Sequence, residues 1–220
     1  MKLNRRAALK LGLVGGGSFL LPFSAQNPLL AAPFSPQLPR FVTPLSIPPV
    51  LSPQYSDETT DYYEIRLQKK RVEILPGTTT EIWGYNGLFP GPTIRQRGGN
   101  PNTEGRQSVV RFINELGKDD DDCDIDAVVH LHGMASLPQY DGFATDLVRP
   151  DHFKDYIYPN DRAATIWYHD HAIDKTARNV YMGLAGMYIV EDGFERDCPL
   201  PKDDYDVPLI IRDAFFAQTN

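Results

Sequence analysis

Cations are in short supply in this sequence: 22 Lys and Arg stand against 29 Asp and Glu, for a formal net charge of −7. Nothing here builds a basic face, which excludes a nucleic-acid-binding role. Long apolar runs are missing too. The longest, Leu11 to Leu21, is Gly-rich and too short to span a bilayer comfortably, and no helical period of any length appears along the chain. Histidine and cysteine are scarce, at five and two residues. The rest is ordinary: 41% hydrophobic, 11% aromatic and 23% charged, close to the soluble globular average and enough to bury a core. At 220 residues the expectation is one domain with a remainder for tails or part of a second.

The amino-terminal part of that remainder reads as an address. Asn4-Arg5-Arg6-Ala7-Ala8-Leu9-Lys10 places an arginine pair ahead of the apolar run, and Ala25 offers a small residue for cleavage. This is the pattern of a twin-arginine export signal over residues 1–25, and it predicts a periplasmic or extracellular protein. Gly15, Gly16 and Gly17 are poor material for the alternative, an N-terminal helix or anchor. Removing the signal takes away Lys2, Arg5, Arg6 and Lys10 and no acid, which leaves a mature charge of −11. Residues 26–54 are proline-rich and predict an extended arm. Its Phe41, Val42, Leu45, Ile47, Val50 and Leu51 give it apolar surface to lay across a folded body.

Strand-like runs then follow one another: Tyr62 to Leu67, Val72 to Leu75, Thr79 to Gly84, Ser108 to Ile113, Ala127 to His132, Ala164 to Tyr168 and Ala185 to Val190. Gly, Pro, Asn and Asp clusters separate them, so the domain over 55–195 is expected to be all-β, a sandwich or barrel. A short helix or turn fits only at Asp174 to Met182. The acidic run Asp119 to Asp122, with Asp124 and Asp126, lacks the ligand spacing and central glycine of a calcium loop and reads as a solvated loop.

Four of the five histidines fall in two His-x-His pairs, His130-Leu131-His132 and His169-Asp170-His171, each at the end of an expected strand. Residues two apart on a strand point the same way, with Cα atoms roughly 6.5–7 Å apart. Two such pairs on neighbouring strands would converge on a patch a few ångströms wide, a geometry that suits a cluster of metal ions better than one. Imidazole serves copper, zinc, iron and nickel alike, so ligand type alone leaves the metal open. His152 stands alone in a polar stretch and reads as a solvated loop residue.

The segments Tyr85-Asn86-Gly87-Leu88-Phe89-Pro90-Gly91-Pro92-Thr93-Ile94, His130-Leu131-His132-Gly133, Trp167-Tyr168-His169-Asp170-His171-Ala172 and Gly183-Leu184-Ala185-Gly186-Met187-Tyr188-Ile189-Val190 closely resemble the first cupredoxin domain of multicopper oxidases. Within that family the chain is most similar to the bacterial spore-coat laccase and bilirubin oxidase branch, from Phe41 to Ala214. The resemblance implies a Greek-key, cupredoxin-like β-sandwich, followed at 196–220 by a linker and the first strand of a second cupredoxin domain. It implies that His130 binds a type 2 copper and that His132, His169 and His171 bind a type 3 pair. It also implies a part in proton supply for Asp141, which otherwise reads equally well as a turn-forming Asp before Gly142. The parent enzyme would oxidise phenols, bilirubin-like pigments or metal ions one electron at a time and reduce dioxygen to water.

The departures matter as much. The family's remaining cluster ligands and the thiolate of its type 1 copper come from His-x-x-His-x-His and His-Cys-His segments, and neither occurs in these 220 residues. Cys123 and Cys198 are flanked by acids and proline; in an exported protein they form one disulfide or remain two thiols. The leading expectation is the amino-terminal part of a multicopper oxidase, partnered by missing carboxy-terminal cupredoxin domains, with no membrane span in the mature chain. The alternatives are an exported copper-binding or assembly protein and a non-catalytic cupredoxin scaffold, the last disfavoured by the four retained histidines.

Overall fold

Side chains alternating between two faces build the strands. In β5, Gln107–Glu115, every second residue (Ser108, Val110, Phe112, Asn114) is buried and the others are half-buried, the pattern of a sheet packed against a core on one side. The computed structural model describes residues 41–99, 105–214 and 216. The expected export signal, 1–25, and residues 26–40 of the expected arm lie outside the described residues.

In the unit Phe41–Arg212, two sheets face each other. One holds β1 (Tyr55–Ser56), β2 (Thr60–Val72), β3 (Thr80–Tyr85), β5 and β7 (Phe153–Tyr158), in the order β1-β2-β5-β7 with β3 also on β2. The other holds β4 (Ile94–Arg97), β6 (Val129–His132), β8 (Ala164–Asp170) and β9 (Ala185–Glu191), in the order β4-β9-β8-β6. From β3 to β8 the chain changes sheet at every connection, so β2 with β5 and β4 with β9 pair in parallel while the other ladders are antiparallel. The two short helices, Thr176–Met182 and Gly193–Asp197, flank β9 in sequence, the first within the stretch where a helix was expected. No helix among the described residues is long and apolar enough to cross a membrane.

Tyrosine dominates the core. Tyr85, Tyr156, Tyr158, Tyr168 and Tyr188 are fully buried, with Tyr85 and Tyr168 ring centroids 4.8 Å apart and those of Tyr158 and Tyr188 5.8 Å apart. Three of these five phenols find a partner for the polar tip, Tyr156 accepting from Val129 N–H, while the Tyr85 and Tyr158 hydroxyls have none among the described residues. Tyr168 donates to the Pro92 carbonyl at 2.6 Å, and the Tyr188 hydroxyl lies 2.9 Å from Ser108 Oγ and 2.8 Å from Asn160 Oδ1.

Several expectations change. Val72 to Leu75 is not a strand: β2 runs unbroken to Val72 and the chain then turns at Pro76-Gly77, closed by Thr78 N–H donating to the Leu75 carbonyl at 3.0 Å. β4 and β7 were not anticipated. β4 reads Ile-Arg-Gln-Arg, and its buried Gln96 is accommodated because Tyr63 accepts its amide at 2.6 Å and Asp61 Oδ2 accepts it at 3.1 Å. The described part of the arm, 41–54, buries less than its composition implied. Leu51 N–H donates to the Thr93 carbonyl at 2.8 Å and Leu51 packs on the core, but Phe41, Val42, Leu45, Ile47 and Val50 remain exposed. Cys123 and Cys198 are both free thiols, one in the exposed acidic loop and the other just past the helix Gly193–Asp197. In that loop Asp119 accepts from the Asp121 and Cys123 N–H groups and from Arg178, as a solvated turn does. Residues 206–214, where the start of a further domain is expected, pair with no strand among the described residues.

Candidate metal centre

β6 and β8 are antiparallel neighbours, and their register sets His130 directly opposite His169 and His132 opposite Trp167. Opposite residues share a face, as do residues two apart, so His130, His132 and His169 project to one side. His171 lies just past the end of β8, where its N–H donates to the Val128 carbonyl at 2.8 Å and keeps the chain on line.

The four imidazoles meet. Ring centroids are 5.2 Å apart for His130 and His171, 5.5 Å for His130 with either His132 or His169, 5.6 Å for His132 and His169, and 6.1 Å for His169 and His171. Ligand nitrogens of His130, His132 and His169 all lie within 4.8 Å of one another. Trp167 stacks beside them, its ring 4.0 Å from that of His169 and 5.6 Å from that of His132.

Each ring's outer contact decides which nitrogen is offered. The Asp141 carbonyl sits on His130 Nδ1, and the Asp170 carbonyl lies 2.8 Å from His169 Nδ1. A carbonyl can only accept, so each Nδ1 carries the proton and each Nε2 keeps its lone pair for a metal. His132 turns Nδ1 inward, 3.3 Å from His169 Nε2. Two nitrogens about 2.0–2.1 Å from one ion at a tetrahedral angle would be about 3.3–3.4 Å apart, so this pair fits a shared ion. The buried Nδ1 of His171 has no hydrogen-bond partner. Burial, partly offset by the Asp170 carbonyl, pushes the His169 imidazole down to about 4, so that ring is neutral and ready to bind at neutral pH. A donor set of imidazoles alone fits copper, as it would zinc, iron or nickel.

Two further residues shape the site. Asp141 follows the 3-10 turn Pro138–Tyr140, with its own N–H facing the Pro138 carbonyl, and its half-exposed carboxylate lies 3.5 Å from His130 Nδ1. Gly142, at φ +79°, lets the loop press on β6, where a Cβ would come within 2.4 Å of the Val129 carbonyl oxygen and 2.7 Å of His130 Cα. Asp170 had no assigned role. It is fully buried; burial pushes its carboxyl up to about 6 despite N–H donors from Val128, Ala172 and Asn179. The signal was available: between two histidines that share one face, the middle residue must point to the other. His152 is exposed and held by the nearby Pro150 carbonyl, apart from the site.

A β-sandwich that gathers four imidazoles at the end of one strand pair is a cupredoxin-like domain with a candidate metal site. The sequence profile described as Multicopper oxidase matches residues 66–194. The chain is 38% identical over 190 residues to a bilirubin oxidase of Albifimbria verrucaria, covering 82% of this chain and 31% of that protein. It is 37% identical over 203 residues to a laccase of Bacillus subtilis, covering 80% of this chain and 38% of the relative. A multi-copper oxidase from Pediococcus acidilactici superposes with a TM-score of 0.64 at 33% identity, over 73% of this chain and 32% of that one. The chain belongs to the multicopper oxidase family. It spans between 31% and 38% of the length of the two curated relatives.

Proposed function

We propose that this chain supplies half of a trinuclear copper cluster in a laccase- or bilirubin-oxidase-like enzyme that couples one-electron substrate oxidation to the four-electron reduction of dioxygen to water. The observation that carries the reading is the convergence of His130, His132, His169 and His171, five of whose six ring pairs have centroids 5.2–6.1 Å apart. In this reading His130 serves a type 2 copper and His132, His169 and His171 a type 3 pair. Copper held by these imidazoles would supply one-electron redox chemistry toward dioxygen. The chain's own residues hold and orient: carbonyls of Asp141 and Asp170 fix two ring tautomers, and Trp167 covers the flank of His169 and His132. In this reading the Asp141 carboxylate, half-exposed and 3.5 Å from His130 Nδ1, takes part in proton supply.

The remaining ligands and the electron-accepting copper belong, in this reading, to further cupredoxin domains, with 55–195 as the first domain and 196–220 leading on to the second. Residues 1–25 direct export by the twin-arginine route, so the enzyme acts in the periplasm or outside the cell. The test is turnover. Copper-loaded 220-residue chain, assayed with a phenol or a redox dye and an oxygen electrode, is expected to show none, because it carries four cluster imidazoles and no His-Cys-His segment. Oxidation by the purified chain alone would overturn the division of labour proposed here.

A further inference from the structure

We infer that Asp170 is a positioning residue for the copper-binding face, a carboxylate required because three N–H donors from three different segments converge on it. The inference rests on the copper reading above. Asp170 Oδ1 accepts from Val128 N–H at 3.0 Å, at the approach to β6; Oδ2 accepts from Ala172 N–H at 3.1 Å, past the second histidine pair, and from Asn179 Nδ2 at 3.1 Å, within the helix Thr176–Met182. The Val128 peptide is gripped on both sides, since its carbonyl takes the His171 N–H at 2.8 Å. Asn179, itself fully buried, also donates to the Asp126 carbonyl at 3.2 Å. One carboxylate thus ties the strand carrying His130 and His132 to the turn carrying His171, at the place where the β6–β8 ladder runs out and main-chain pairing no longer sets the spacing.

The chemistry selects Asp over its isostere. An amide has one acceptor oxygen and an NH2 group. Turned one way, Asn at this position meets Val128 N–H with its own NH2; turned the other way, it meets Ala172 N–H so. Either orientation leaves one backbone N–H facing a donor and releases one side of the clamp, β6 or the His171–Ala172 peptide. Groups that hold metal ligands from behind cost about 10–100-fold in metal affinity when changed.

The experiment measures copper(II) affinity and the copper EPR spectrum of the 220-residue chain as parent, Asp170→Asn, Asn179→Ala and Tyr188→Phe. Asp170→Asn is expected to lose about 10–100-fold in affinity, with altered hyperfine splitting. Asn179→Ala keeps both backbone donors, so it should show a smaller loss and the same direction of spectral change. Tyr188→Phe, whose hydroxyl bonds Ser108 and Asn160 and none of these groups, should lose stability and keep the parent's affinity and spectrum. Parent-like affinity and spectrum in Asp170→Asn would overturn the assignment. If that variant fails to fold, Asn179→Ala decides alone, and parent-like copper binding there overturns it equally. Weakening in Tyr188→Phe of the same size as in Asp170→Asn would also overturn it, by showing that lost stability suffices. A variant with His130, His132, His169 and His171 all changed to Ala, run alongside, identifies failure of the underlying reading: copper uptake equal to the parent's would remove the ligands themselves, and the positioning role with them.

Discussion

Changing Gly142 to Ala should damage the protein twice, and the two effects can be separated. Its φ of +79° is one that an L side chain adopts at a cost of about 1–2 kcal/mol. Its Cβ would also sit 2.4 Å from the Val129 carbonyl oxygen and 2.7 Å from His130 Cα, both main-chain atoms that cannot swing aside. Overpacking of that kind adds about 1–3 kcal/mol, for a total of about 2–5 kcal/mol. Gly117 isolates the first effect, because it has a φ of +67° and an added methyl group there would meet nothing within 4 Å, so Gly117→Ala should cost only about 1–2 kcal/mol. With a urea slope of about 2–3 kcal/mol per molar, the Gly142 variant should unfold about 1–2 M earlier and the Gly117 variant about 0.5 M earlier. Unfolding followed by fluorescence of Trp83 and Trp167 reads both midpoints. Relief of the overlap also pushes the loop from β6, withdrawing the Asp141 carbonyl from His130 Nδ1, so copper affinity should fall in Gly142→Ala and hold in Gly117→Ala. Equal midpoints for the two variants would refute the claim that this loop is pressed against the ligand strand.

Other consequences are open to measurement. Tyr188→Phe removes the hydroxyl that donates to Asn160 Oδ1 and pairs with the Ser108 hydroxyl in the core, so it should cost about 1–3 kcal/mol; a melting temperature unchanged in calorimetry would contradict this. Burial pushes the Asp61 carboxyl up, but hydrogen bonds from Arg106, Ser56 and Gln96 outweigh it and hold the group below its usual 3.8. Its contribution to stability is therefore fully present above about pH 4 and is lost as pH falls through the lower folded-state value, so urea midpoints of Asp61→Asn should depend less steeply on pH than the parent's there. Parallel curves for the two proteins would sink that prediction. Because the Trp167 ring lies 4.0 Å from that of His169, copper should quench its emission. Trp167→Phe should lose that quench, and quenching of undiminished size in the variant would place the metal elsewhere.

Much of the site was legible because strand geometry needs only a period of two. His130 with His132, and His169 with His171, share faces by spacing alone, and their position at strand ends followed from the apolar runs before them. The register that sets His130 opposite His169 was not legible, because strand pairing depends on which strands become neighbours in the fold, and spacing within one strand says nothing of it. Asp170 was visible as a letter and not as a clamp, since its three donors come from residues 128, 172 and 179. The same limit explains the unanticipated strands. β4 has one apolar residue in four and is a strand because β9 pairs with it in parallel, and β7 follows a polar stretch that hides the alternation ending in buried Tyr156 and Tyr158. In the described part of the arm, 41–54, composition misled: apolar residues at Phe41, Val42 and Leu45 imply burial, but what ties this stretch to the sheet is backbone bonds around Thr93, the Gln54 N–H bond to the Tyr62 carbonyl and the side chain of Leu51.

Copper titration of the 220-residue chain against the variant with His130, His132, His169 and His171 changed to Ala tests the central claim most directly. The parent is expected to take up copper weakly, as half a cluster should, and the variant to lose that uptake. Equal uptake by the two proteins would show that the four convergent imidazoles are not the metal site.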